Sequence, residues 1–189
     1  MPTHSENAGD WHHSRWRMAG WGAAALLLLL PLSAMQFTDE VDWSLADFVV
    51  FGAMLAGAGG AYELAARTTS SRVYRAAVGV ALTTAFILVW VNLAVGIIGG
   101  EGNPANLMFG GVLAVGIIGT IFSRCQPRGM VRALVATAIA QAAVAVIVLV
   151  TGLGVSGQPE TGAILVLNGL FISLWLGSAW LFRRAAGDG

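Results

Sequence analysis

The stretch MVRALVATAIAQAAVAVIVLVTGL, Met130 to Leu153, decides the fold. It is nearly all alanine, valine and other apolar residues, with Gln141 as the one amide near its middle. About twenty apolar residues at about 1.5 Å rise cross a hydrocarbon core of about 30 Å. The stretch is therefore long enough to span a bilayer as a helix. A transmembrane barrel strand would be about ten residues of alternating polarity, and that alternation is absent here and elsewhere in the chain.

Working outward, the same kind of block recurs. Before it lies Ala105 to Ser123, and before that come Tyr74 to Gly99, Leu45 to Ala66 and Met18 to Phe37. After it comes Thr161 to Phe182. The expected architecture is all-α: a polytopic transmembrane bundle of six helices over about 18–183, with polar tails at 1–17 and 184–189. The first block follows basic residues and could instead be a cleaved signal, which would leave five helices. It is long for a signal, and its small-residue cleavage pattern is poor. Short connections predict that consecutive helices pack as antiparallel neighbours.

Composition agrees. Of 189 residues, 57% are hydrophobic and 11% charged, against about 25% charged in a soluble domain. The net charge of zero hides an asymmetry. All ten basic residues are arginine, and they fall on alternate breaks: Arg15 and Arg17, then Arg67, Arg72 and Arg75, then Arg124, Arg128 and Arg132, then Arg183 and Arg184. The intervening breaks hold only acids: Asp39, Glu40 and Asp42, then Glu101, then Glu160. Basic residues mark the cytoplasmic side, so both termini are expected inside. Trp16, Trp21 and Trp180 fit an inner interfacial belt and Trp43 an outer one.

Packing inside lipid relies on close backbone approach at small residues. Gly52, Ala56 and Gly60 form a stripe on the second span. The heptapeptide LAVGIIG occurs twice, at Leu93–Gly99 and Leu113–Gly119. Its glycines, Gly96 and Gly99 in one copy and Gly116 and Gly119 in the other, are expected to be helix-packing faces.

Polar side chains within the spans cost free energy in lipid and should face protein or water. Asp47, Asn92, Asn106 and Asn168 fall at similar depth in the outer half, so they could line an outward-facing polar pocket. The competing reading is interhelical hydrogen bonding, worth about 0.6 kcal/mol each on average. Glu63 and Arg67 stand one turn apart, which suits an ion pair at the membrane edge; a proton-relay carboxylate is the rival. The loop from Gly100 to Asn106, with Asn103-Pro104, has turn chemistry.

Several chemistries lack their parts. Gly152 to Gly157 fits GxGxxG, but no strand precedes it, so a dinucleotide site is not expected. Gly154-Val-Ser156-Gly157 resembles the serine motif of intramembrane rhomboid proteases, yet no histidine follows His13 to act as base. The single cysteine, Cys125, excludes a dithiol pair. No cofactor, metal, enzymatic activity or nucleic-acid partner is expected.

The stretch from Asp42 to about Val150 resembles an uncharacterised family of small bacterial inner-membrane proteins with no assigned activity. The resemblance rests on Ala61-Tyr-Glu-Leu64, Trp90 to Gly99, Asn103-Pro-Ala-Asn-Leu107 and Ala114 to Gly119. It implies a multi-pass protein of the bacterial inner membrane and brings no activity. Two roles remain open on the sequence. One is a non-enzymatic accessory or assembly protein acting through helix packing, with the lipid bilayer, a second copy or another membrane protein as partner. The other is a small oligomeric transporter or channel.

Overall fold

A computed structural model describes residues 7–38, 41–100, 102–153 and 158–187, without the side chains of 7–17, 19 and 158–160. It is all-helical among the described residues. The elements are α1 (Asn7–Ala34), α2 (Leu45–Thr68), α3 (Arg72–Ala94), a 3-10 turn (Pro104–Asn106), α4 (Leu107–Ser123), α5 (Pro127–Thr151) and α6 (Gln158–Ala185). Five of the six helices are long and apolar enough to cross a membrane. In α1 the apolar part, Gly20–Ala34, is shorter. The six-helix, multi-pass architecture read from the apolar blocks is the one observed.

Several boundaries differ from those expected. Residues 7–17, expected as a tail, continue backward from the first span as helix, because no glycine or proline breaks the run from Asp10 to Met18. The last helix runs on to Ala185, past the expected start of a tail. The third helix ends at Ala94 rather than Gly99, for a reason given below.

The chain divides into two compact units, Met1–Ala61 and Tyr62–Gly189. In the first, α1 and α2 form an antiparallel pair. A Cβ placed on Gly52 would touch Leu28 at 3.8 Å, and one on Gly59 would touch Trp21 at 3.5 Å. Gly52 and Gly59 are seven residues apart, nearly two turns, and so share a face. Gly60, one residue further, is rotated away and has open space around it. The stripe expected at Gly52 and Gly60 therefore packs at Gly52 and Gly59 instead.

The second unit is a bundle in which α4 packs on α5, α5 on α6 and α6 on α3. Contrary to the expectation for consecutive helices, α3 has α6 as its main neighbour rather than α4. Two contacts set the α3–α6 register. The Ser178 hydroxyl donates to the Ala77 carbonyl at 2.8 Å, and the Tyr74 ring meets Phe182 edge-on at 5.0 Å. The core holds Leu88, Ile98, Phe109, Phe171 and Phe182, all fully buried. Because neighbours are antiparallel, Arg72, Arg75, Arg124, Arg128, Arg132, Arg183 and Arg184 all sit at one end of this bundle. Arg184 lies over the Trp180 ring at 3.8 Å, a cation–π contact.

The α4–α5 turn closes that end. Arg124 and Cys125 are both left-handed, at φ 49° and 58°, a region that suits glycine better. Tyr74 ties the turn down: its hydroxyl donates to the Cys125 carbonyl at 2.6 Å. Ser123 donates to the Thr120 carbonyl at 2.8 Å and reaches Met130 Sδ at 3.3 Å.

Candidate functional site: the intramembrane polar residues

Asp47 is a helix cap. Its Oδ2 accepts from the Ser44 backbone N–H at 2.8 Å and from the Ser44 hydroxyl at 2.7 Å. Ser44 Oγ in turn accepts from the Asp47 N–H at 3.3 Å. This is a capping box, which satisfies otherwise orphaned helix donors. Trp43, before the cap, stacks edge-on with Phe48, four residues after the cap, at 5.1 Å. That contact is the hydrophobic staple that accompanies such boxes. The motif Trp43-Ser-Leu-Ala-Asp47-Phe48 carried this signal openly, and depth alone had suggested a pocket.

Asn106 is a backbone clamp. Its Oδ1 accepts from the N–H groups of Ile97 and Ile98 at 3.1 and 2.9 Å. Its Nδ2 donates to the carbonyls of Ile98 and Gly100 at 3.3 and 2.7 Å. One amide side chain thus serves four backbone groups. Irregular backbone inside a membrane protein survives only when its polar groups are satisfied in this way or face water. The clamp also explains why α3 stops early. Gly96, Gly99 and Gly100 take φ values of 71°, 61° and 93°, which glycine reaches without strain. Ile97 and Ile98 are buried between them. Gly96 and Gly99, expected to pack helices, are turn glycines.

Asn168 joins two helices. Gln141 donates from Nε2 to Asn168 Oδ1 at 2.8 Å, both residues being fully buried. Asn168 Nδ2 donates to the Ile164 carbonyl one turn back at 2.9 Å. Asn92, half-buried near the end of α3, makes no side-chain hydrogen bond to a described residue. Within the second unit no hydrogen bond links Asn92, Asn106 and Asn168 to one another, and Asp47 is engaged within the first.

The other polar groups are mostly spent locally. Thr84 and Thr137, both buried, donate to the carbonyls of Val80 and Ala133 one turn back, at 2.7 and 2.9 Å. Glu63 and Arg67 approach at 3.9 Å across one helical turn. Two buried polar atoms find no protein partner among the described residues: Gln141 Oε1 and Trp175 Nε1. Each bare group costs about 1–3 kcal/mol. The sequence places Gln141 near the middle of its span and reads the deep Trp175 as a helix-packing residue, but gives neither a partner, since a lone glutamine and a deep tryptophan carry no motif.

The second heptapeptide copy does pack helices. A Cβ on Gly116 would meet Thr137 Oγ1 at 3.1 Å, and one on Gly119 would meet the Ala133 Cβ at 2.7 Å. These two glycines let α4 lie close against α5. Among the described residues no group of three or more histidines, cysteines and acids could hold a metal. In comparison with known proteins, no family model, curated protein or solved structure matches the chain.

Proposed function

We propose that this chain is a non-enzymatic accessory or assembly protein of the bacterial inner membrane, acting through helix packing, with its arginine-rich end in the cytoplasm. The observation that carries the reading is how the intramembrane polar residues are spent. Asp47 caps a helix, Asn106 clamps a turn, and Asn168 bonds Gln141 across two helices. Each role builds the protein itself. The gathering of seven arginines at one end of the second unit supports the orientation. The resemblance of the stretch from Asp42 to about Val150 to small bacterial inner-membrane proteins supports the location.

A second reading, a small oligomeric transporter or channel, draws on Asn92 and on the break in α3 beside it. Interrupted helices line many transport sites. Purified protein in sealed liposomes separates the two. Tight vesicles, with Asn92→Leu folding as wild type and preserving the native complex size in membranes, support the accessory role. Saturable solute or ion flux that Asn92→Leu abolishes replaces it with transport.

A further inference from the structure

Helix α5 lies between α4 and α6, and one of its faces meets neither. Arg128, Arg132, Ala136, Ile139, Ala143 and Val146 are all exposed. Steps of three and four residues keep them on a single stripe of the helix. Ile139 is 65% and Val146 56% exposed. The stripe is thus apolar along most of its length and closes, toward the helix N-terminus, with two arginines one turn apart. The small Ala136 and Ala143 leave shallow ground on either side of Ile139.

The deeper arginine stands where a charge needs a partner. Arg132 lies beyond the first turn of α5, about 7.5 Å along the axis from Pro127, on a helix long and apolar enough to cross a membrane. A charge facing lipid at that depth is costly unless it is paired or reaches the interface. Neither Arg128 nor Arg132 makes an ion pair with a described residue, and Glu63 stands by Arg67 instead, at 3.9 Å. Side chains on a helix lean toward its N-terminus, so Arg132 extends back toward the level of Arg128. Its stem can lie on apolar surface while the guanidinium meets the headgroup layer. A guanidinium fits a phosphate with two parallel hydrogen bonds.

We infer that this face of α5 binds an anionic phospholipid, its phosphate held by Arg128 and Arg132 and an acyl chain laid along Ala136, Ile139, Ala143 and Val146. The stripe asks for a ligand that is apolar over most of its length and negative at one end. A phospholipid of net negative charge has that form, and a free phosphate does not. A zwitterionic headgroup brings its own cation to two arginines that no described acid offsets, so a net negative headgroup is the one selected. The site depends on the chain spanning a bilayer and not on its role there.

The test holds the full chain in phosphatidylcholine micelles and titrates in phosphatidylglycerol, with thermal unfolding read at each composition. A saturable gain in stability is expected for the wild type. Arg128→Gln combined with Arg132→Gln is expected to raise the half-saturating phosphatidylglycerol fraction about 30-fold, from about fivefold per arginine. Arg72→Gln combined with Arg183→Gln removes equal charge from exposed positions on α3 and α6 and is expected to shift it far less. Equal shifts in the two double variants overturn the site, leaving only the field of the whole arginine end. No saturable gain in the wild type overturns it too, as does an equal gain from inorganic phosphate. Should the first double variant fail to fold, wild-type protein with phosphatidylglycerol carrying a photoreactive acyl chain decides. Adducts concentrated on Ile139, Ala143 and Val146 support the site, and adducts spread evenly over the exposed residues of α4 and α6 overturn it.

Discussion

Single side chains hold this protein's irregular places together, and their loss should be felt far more than their number suggests. Asn106→Ala would strip partners from the buried N–H groups of Ile97 and Ile98. An unsatisfied buried group costs about 1–3 kcal/mol, so the variant is expected to lose about 2–5 kcal/mol, read by denaturant unfolding in mixed micelles. An unchanged midpoint would mean that water or another side chain takes over the clamp. The opposite sign is expected at Cys125, which is exposed and left-handed at φ 58°. Cys125→Gly removes that strain and should leave stability unchanged or raise it by up to about 1 kcal/mol. A clear loss would show that the thiol contributes a contact of its own. At this scale the sequence was legible in kind but not in use. That Asp47, Asn106 and Asn168 had to be satisfied followed from lipid alone. Their partners did not, because a capping box, a clamp and an interhelical bond all begin from a short polar side chain in an apolar run. Only Asp47 had its partner, Ser44, within reach of a local pattern.

Among the elements, the repeated heptapeptide is the clearest lesson. LAVGIIG at Leu113–Gly119 is helix, while the same residues at Leu93–Gly99 unwind after Ala94. Local propensity is identical in the two copies, so the difference comes from outside them. The first copy runs into Gly100 and is met by Asn106; the second continues into Thr120 and lies against Ala133. The existence and order of all six helices could be read from apolar length, because the bilayer imposes that length. The break in α3 could not, since no apolar count registers a side chain nine residues further on. The packing role of glycine is likewise decided by the neighbour. Gly119→Ala would force a methyl onto Ala133 at 2.7 Å and is expected to cost about 1–3 kcal/mol. Gly60→Ala enters open space and should gain up to about 1 kcal/mol from helix propensity. Thermal unfolding of the two variants side by side checks the pair; equal effects would contradict the assigned packing face.

For the second unit taken whole, the α3–α6 contact is the feature that chain order concealed. Two neighbours far apart in sequence are joined by Ser178 on the Ala77 carbonyl and by Tyr74 against Phe182. Ser178 is fully buried, so Ser178→Leu would push α6 off α3 and is expected to cost about 1–3 kcal/mol by overpacking. Ser178→Ala, losing only the hydrogen bond, should cost about 1 kcal/mol. Denaturant unfolding of both would find the order reversed if α6 did not seat closely here. The contact also bears on how the protein is born. Domains assemble as the ribosome delivers them, N-terminal parts first. Here α3 is made well before α6, its main partner. Until α6 arrives, the faces of Tyr74, Ala77 and their neighbours must wait against lipid or a chaperone. A nascent chain halted after Leu153 thus lacks the partner of that face, and α6 is the clasp that covers it.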